Sequence, residues 1–181
     1  MCAIEYYTYQ DYLQWEGEWE LIGGIPLAMA PSPTIDHQVI ALLLARELME
    51  GAEACDGCVV VAEQDWKIDE ETVVKPDVAL ICHEPGDSYI TKAPRIVVEV
   101  VSPSSSRRDE KVKFELYEQE RVPYYLLVYP EDLKVKIYRL AEDGYRKEGD
   151  FNRERYRFEL DECRNTIDFE RVFRRFRKGR S

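Results

Sequence analysis

Glu99 interrupts IVVEVV (96–101), a run that is otherwise apolar on both faces of a strand. An ionised carboxylate buried alone costs several kcal/mol, a large share of a domain's net stability. Glu99 therefore needs a metal cation, a basic side chain or a proton beside it. Asp77 is the second carboxylate of interest. It follows Pro76 and opens the apolar run VALIC. Proline cannot donate to a sheet ladder and biases the residue before it to extended geometry, so Asp77 belongs where a strand begins or bends. An aspartate that only starts a turn would read the same way. The 22 residues between Asp77 and Glu99 suit two strands of one antiparallel pair. Their oxygens would then converge on one hard divalent cation, and Mg²⁺ typically needs only one or two carboxylates, the remainder being water and substrate phosphate.

Asp109, Lys113 and Tyr117 follow at i, i+4 and i+8 and line one helical stripe. A lysine brought close to two carboxylates can hold an attacking water and stabilise charge building on phosphorus. A solvated stripe with an Asp109–Lys113 pair is the plainer alternative. Glu20, in WELI, alternates against Trp19 and Leu21, and either completes a metal sphere or faces water. His37 falls in the first turn of a helix, as a base, a phosphate contact or a capping residue. Cys55-Asp-Gly-Cys58 with His37 and His83 has the donor types of a zinc site, but a lone CxxC without a second pair is a weak signal.

These residues need a scaffold. Thr8 caps a short helix in TYQDYLQW, and apolar stretches around Gly23-Gly24 form a hairpin. Thr34 or Asp36 opens a helix running to about Glu50. Strands follow at 58–63, 65–68, 73–82 and 96–101, the second and third joined by the turn at Asp69-Glu70-Glu71. Residues 107–121 read as an exposed helix with Val112, Leu116 and part of Tyr117 inward, stopped by Pro123. YYLLVY (124–129) and KVKIYRL (134–140) form a hairpin. A weaker hairpin from Tyr145 to Leu160 and a tail helix from Ile167 to Phe176 complete the chain. The expected class is α/β (α+β), a mixed sheet flanked by helices on both faces.

The 181 residues suit one domain, which should bury about 70% of its unfolded surface. No apolar run approaches the ~18 residues of a membrane span, and the N-terminus has no basic and apolar leader. The cysteines are five and irregularly spaced, which points away from a disulfide framework and toward a reducing cytoplasm. Net charge is −11, which argues against non-specific coating of nucleic acid but suits a site that gathers cations. The basic tail, RVFRRFRKGRS, is either a phosphate contact or, more simply, a solvated end.

In their order along the chain, WELIGGIPLAMAPSPTIDH (19–37), VVKPDVALI (73–81), APRIVVEVVSPSS (93–105), DEKVKFELY (109–117) and VPYYLLVYP (122–130) resemble the Uma-type family, labelled restriction endonucleases, within the PD-(D/E)XK nuclease superfamily. The resemblance covers about residues 6–140, leaving 141–181 as a C-terminal extension. It implies a restriction-endonuclease-like sheet with a divalent metal, Mg²⁺ or Mn²⁺, at its edge. Asp77 and Glu99 match the ligands, Glu20 the accessory carboxylate, and Asp77, Glu99 and Lys113 the catalytic set; His37, Asp109 and Tyr117 are accessory candidates. The superfamily's usual lysine position, two residues after the second carboxylate, holds Val101 here, and Lys113 looks like a migrated replacement. The implied activity is metal-dependent hydrolysis of DNA phosphodiesters by a homodimer. The competing expectation is a degenerate nuclease fold that binds without cleaving. Asp65-Trp66-Lys67 also fits a bare D-x-K string, but lacks a matching upstream carboxylate.

Overall fold

The computed structural model describes residues 5–29, 33–161 and 163–177. Its centre is a six-stranded mixed sheet. In chain order the strands that build it are β3 (Cys58–Ala62), β6 (Val78–Cys82), β7 (Ile96–Val100), β8 (Tyr124–Tyr129), β9 (Lys134–Ala141) and β10 (Gly144–Phe151). Their spatial order is β10-β9-β8-β7-β6-β3, antiparallel throughout except for the parallel β7–β8 pair. A parallel pair requires a crossover connection. Here it is a π-helical turn, Arg108–Lys113, running straight into α3 (Phe114–Gln119).

Alternation along the central strands divides the core into two layers. Ile96, Val98 and Val100, with Leu126 and Val128, pack under α2 (Ile35–Ala52) and α4 (Phe169–Arg177). Val97, Tyr125 and Leu127 face the opposite way, against Tyr117 and Trp66. Glu99 shares the parity of Val97 and so belongs to the second layer. A smaller four-stranded antiparallel sheet, in the order β2 (Ile25–Ala28), β1 (Trp19–Ile22), β5 (Val73–Val74), β4 (Trp66–Lys67), supplies Trp66 and Val74 to that layer. Thr8 caps α1 (Tyr9–Tyr12) in a reciprocal capping box with Asp11.

The structure departs from the sequence reading in four places. Residues 73–82 form two strands in two different sheets. Pro76 has no N–H to continue the ladder, so the chain leaves one sheet at β5 and enters the other at β6, with Asp77 at the junction. The expected Tyr145–Leu160 hairpin does not form. β10 pairs with β9 across a bulge at Lys147/Gly149, while β11 (Arg155–Glu159) pairs with β12 (Arg164–Asp168) in a separate ribbon. In the crossover, Val112 is exposed, whereas Asp109, Lys113 and Tyr117 are buried.

Finally, the cysteines are paired, Cys55 with Cys163 and Cys58 with Cys82. Cys58 and Cys82 are opposite one another in the β3–β6 register, a proximity that linear spacing does not reveal. This removes the basis for the reducing-compartment expectation. It also removes the zinc reading: both CxxC sulfurs are engaged elsewhere, and among the described residues no group of three His, Cys, Asp or Glu side chains is placed to hold a metal by itself. No helix among them is long and apolar enough to cross a membrane. The basic tail is not a free end over its described part: Phe169, Val172 and Phe173 of α4 are core, and Arg171 pairs with Glu50 at 2.7 Å and Glu47 at 3.2 Å.

Candidate active site

The β6–β7 register sets Val78 opposite Val98. One step further out, Asp77 comes opposite Glu99. Asp77 is held in place by two contacts: its Oδ2 accepts the Val100 backbone N–H at 2.6 Å, and its Oδ1 lies 3.3 Å from His37 Nε2. His37 itself is presented from the first turn of α2, where Thr34 Oγ1 caps its N–H. Burial lowers the affinity of the His37 ring for a proton, but the hydrogen bond and charge of Asp77 outweigh it, and the net shift is upward.

Glu99 is 3% exposed. Its Oε1 accepts hydrogen bonds from Lys113 Nζ at 2.9 Å and from the Tyr117 hydroxyl at 2.8 Å. The Lys113 ammonium also lies 2.7 Å from Oε1 of Glu20, a residue with no exposed surface. Glu20 is engaged further by Arg108 Nη1 at 3.2 Å and by the backbone N–H of Lys75 at 2.9 Å. Arg108 and Lys113 are five residues apart, the repeat of a π-turn. The widened turn is what brings both cations onto one carboxylate. Tyr117 is fixed by stacking on Trp66, with ring centroids 5.7 Å apart, and by an edge contact to Tyr125.

Asp77, Glu99, Asp109, Lys113, His37 and Arg108 line one cleft of about 870 Å³, walled also by the serine-rich loop 102–106. Glu20 lies behind it. Four carboxyl groups are thus gathered around one lysine and one arginine, and the protein alone leaves negative charge in excess. The electrostatics record this. Burial pushes the Glu99 carboxyl well above the ordinary range, against the pull of Lys113 and with the help of Asp77, Asp109 and Glu20. Burial likewise lifts Asp109 to about 6. Lys113 goes upward, because Glu20, Glu99 and Asp109 more than offset the burial that would neutralise it.

A divalent cation fits this imbalance in charge and in chemistry. The donors on offer are carboxylate oxygens, which hard ions select, and the Asp77–Glu99 pair meets the one or two protein carboxylates that Mg²⁺ needs. The donor set does not fit a protein-only cage, since no three-ligand group exists among the described residues. Glu20, expected as an accessory ligand, accepts from Lys113, Arg108 and the Lys75 backbone. Asp65 and Lys67 of the rival string do not line the cleft. Arg108 was not anticipated; the clue in the sequence is the dibasic Arg107-Arg108 before Asp109, which regular helical spacing does not connect to Lys113.

The sequence profile of a family called Uma2, described as "Putative restriction endonuclease", matches residues 9–161. The chain belongs to the Uma2 family. All seven expected site residues lie inside that match, which extends beyond residue 140 to the end of β11. An uncharacterised protein of Synechocystis, slr1290, is 30% identical over 146 residues, 75% of each chain. A crystal structure from Anabaena variabilis, titled a putative nuclease belonging to DUF820, superposes with a TM-score of 0.70 at 15% identity, over 92% of this Uma2 protein and 97% of that chain. The Uma2 chain therefore has the same fold as that protein.

Proposed function

We propose that this Uma2 protein is a divalent-metal-dependent endonuclease that hydrolyses DNA phosphodiesters, with Asp77 and Glu99 holding Mg²⁺ or Mn²⁺. The observation that carries the reading is the placement of Asp77 opposite Glu99, with the Lys113 ammonium 2.9 Å from Glu99, in one open cleft. A bound ion would supply Lewis-acid polarisation of the scissile phosphate and of the attacking water. The chain's own groups do the rest. Lys113, held charged by Glu20 and Glu99, faces the phosphate as a fixed cation and stabilises the charge that develops as the water oxygen bonds to phosphorus and the ester oxygen leaves. Glu20 and Arg108 fix where that ammonium sits. Tyr117 orients Glu99 from the far side, and His37 orients Asp77. DNA is the substrate class that family membership favours.

A second reading, a nuclease fold that binds without cleaving, is favoured by the engagement of Glu99 with two internal donors. Calorimetric titration with Mn²⁺ separates the two. The nuclease reading expects one site in the wild type, its loss in Asp77→Ala, and cleavage of supercoiled DNA that stops with chelator. A wild type that binds no Mn²⁺ overturns it.

A further inference from the structure

α2 is apolar on both sides. Ile40, Leu44 and Leu48 fill the core, as a surface helix requires. The opposite side should be polar, yet Ile35, Leu42 and Met49 stand there 82%, 62% and 56% exposed. Their spacing is seven and seven, the repeat that keeps a seam facing a second helix. Scattered exposed apolar residues are ordinary, but a row of three at heptad spacing along 18 residues is not.

We propose that this face is a two-fold interface with a second copy of the same chain, the two α2 helices crossing antiparallel at Leu42. The row is symmetric about its own midpoint, which is what an isologous contact demands. Leu42 meets Leu42, and Ile35 of each copy meets Met49 of the other. Between them, half-buried Val39 comes opposite Ala45, and Gln38 comes opposite Arg46.

Charge favours the same occupant. The molecule carries −11 overall, so most faces of one copy repel those of another. The seam itself holds one charged side chain, Arg46, already paired within its chain to Glu47 at 3.0 Å and Glu50 at 3.7 Å. Antiparallel pairing sets no acid against an acid along it. Ile35 also lines the cleft, so the arrangement brings Met49 of the second copy to the rim of each cleft.

The interface is tested without reference to activity, by light scattering on the wild-type protein at micromolar concentrations. The expected mass is twice 21.3 kDa. Leu42→Glu and Leu42→Lys each place like charges at the two-fold and are expected to run as folded monomers, their circular dichroism unchanged because the position is exposed. Mixing the two variants in equal amounts is expected to restore the double mass. A monomeric wild type, a Leu42→Glu protein that stays dimeric, or a mixture that fails to reassemble would each overturn the proposal.

Discussion

Lys113 is shared between Glu20 and Glu99, so removing different members of the cluster has opposite consequences for stability. Glu99→Gln deletes a buried charge and leaves Lys113 paired with Glu20 at 2.7 Å. Its melting temperature is expected to equal or exceed that of the wild type while cleavage is lost. Lys113→Met instead strands Glu99 among Tyr117, Tyr125 and Leu127. An uncompensated buried charge costs roughly 3–5 kcal/mol, and in a chain of this size that is a fall on the order of 10 °C. Calorimetric melting of both variants at neutral pH checks the contrast; a large loss in Glu99→Gln would make Glu99 a structural partner only. Asp109 adds a pH dependence. Its carboxyl, raised by burial from 3.8 to about 6, prefers the proton in the fold. The associated stability is full below the unfolded pKa and is lost as pH rises through about 6. Asp109→Asn is therefore expected to match the wild type near pH 3.5 and to be more stable by roughly 2–3 kcal/mol at pH 8, measured by urea unfolding in chelator. At this scale the carboxylates were legible, because a charge flanked by aliphatic residues in a strand must have a partner. Arg108 was not, since its role depends on a helix winding that residue types do not announce.

The π-turn is the element on which the site depends, and apolar periodicity misread its orientation. Periodicity turned Val112 inward because it is aliphatic. The structure turns it out and buries Asp109, Lys113 and Tyr117. Local preference and global fold conflict here because the side chains serve the cleft, a pattern expected at functional sites. Only the widened turn lets Arg108 and Lys113 meet the two oxygens of Glu20 together. Deleting the exposed Lys111, so that the segment winds as a regular α-helix, moves Arg108 about 100° around the axis relative to Lys113. This variant is expected to fold with a lowered melting temperature and to lose cleavage. Val112→Lys, on the exposed face, is expected to change stability by no more than about 0.5 kcal/mol and to keep full activity. Equal activity in the deletion variant would show that the turn does not set the geometry. Asp77 teaches a related lesson. Pro76 marked a bend in the sequence, but that the bend passes the chain from one sheet to another depends on long-range pairing of Val73 with Leu21.

At the scale of the molecule, hairpins, helices and the mixed-sheet class follow from periodicity and turn residues, whereas strand order and cysteine pairing follow from contacts distant in sequence. The Cys55–Cys163 bridge spans 108 residues and ties the chain just beyond α2 to the approach to β12; Cys58–Cys82 spans 24 and joins β3 to β6. Closing the longer loop removes more freedom from the unfolded chain, so its loss should cost more: about 4–5 kcal/mol for a loop near 100 residues against about 3 for one near 20, by loop-closure entropy. The second bridge sits at the Cys82 end of β6, while Asp77 lies just before the other end. Neither bridge touches the cleft lining. Stability and site should therefore separate. Cys163→Ser is expected to melt lower than Cys58→Ser, and both lower than the oxidised wild type, while the Mn²⁺ isotherm at 25 °C keeps the wild-type stoichiometry and affinity in whichever variant stays folded. Thiol reductant should lower the wild-type melting temperature and leave both variants less affected. If reductant leaves it unmoved, the bridges do not contribute to the folded molecule in solution. If it abolishes Mn²⁺ binding before unfolding, the sheet transmits the constraint along β6 to Asp77, and the separation of scaffold from site fails.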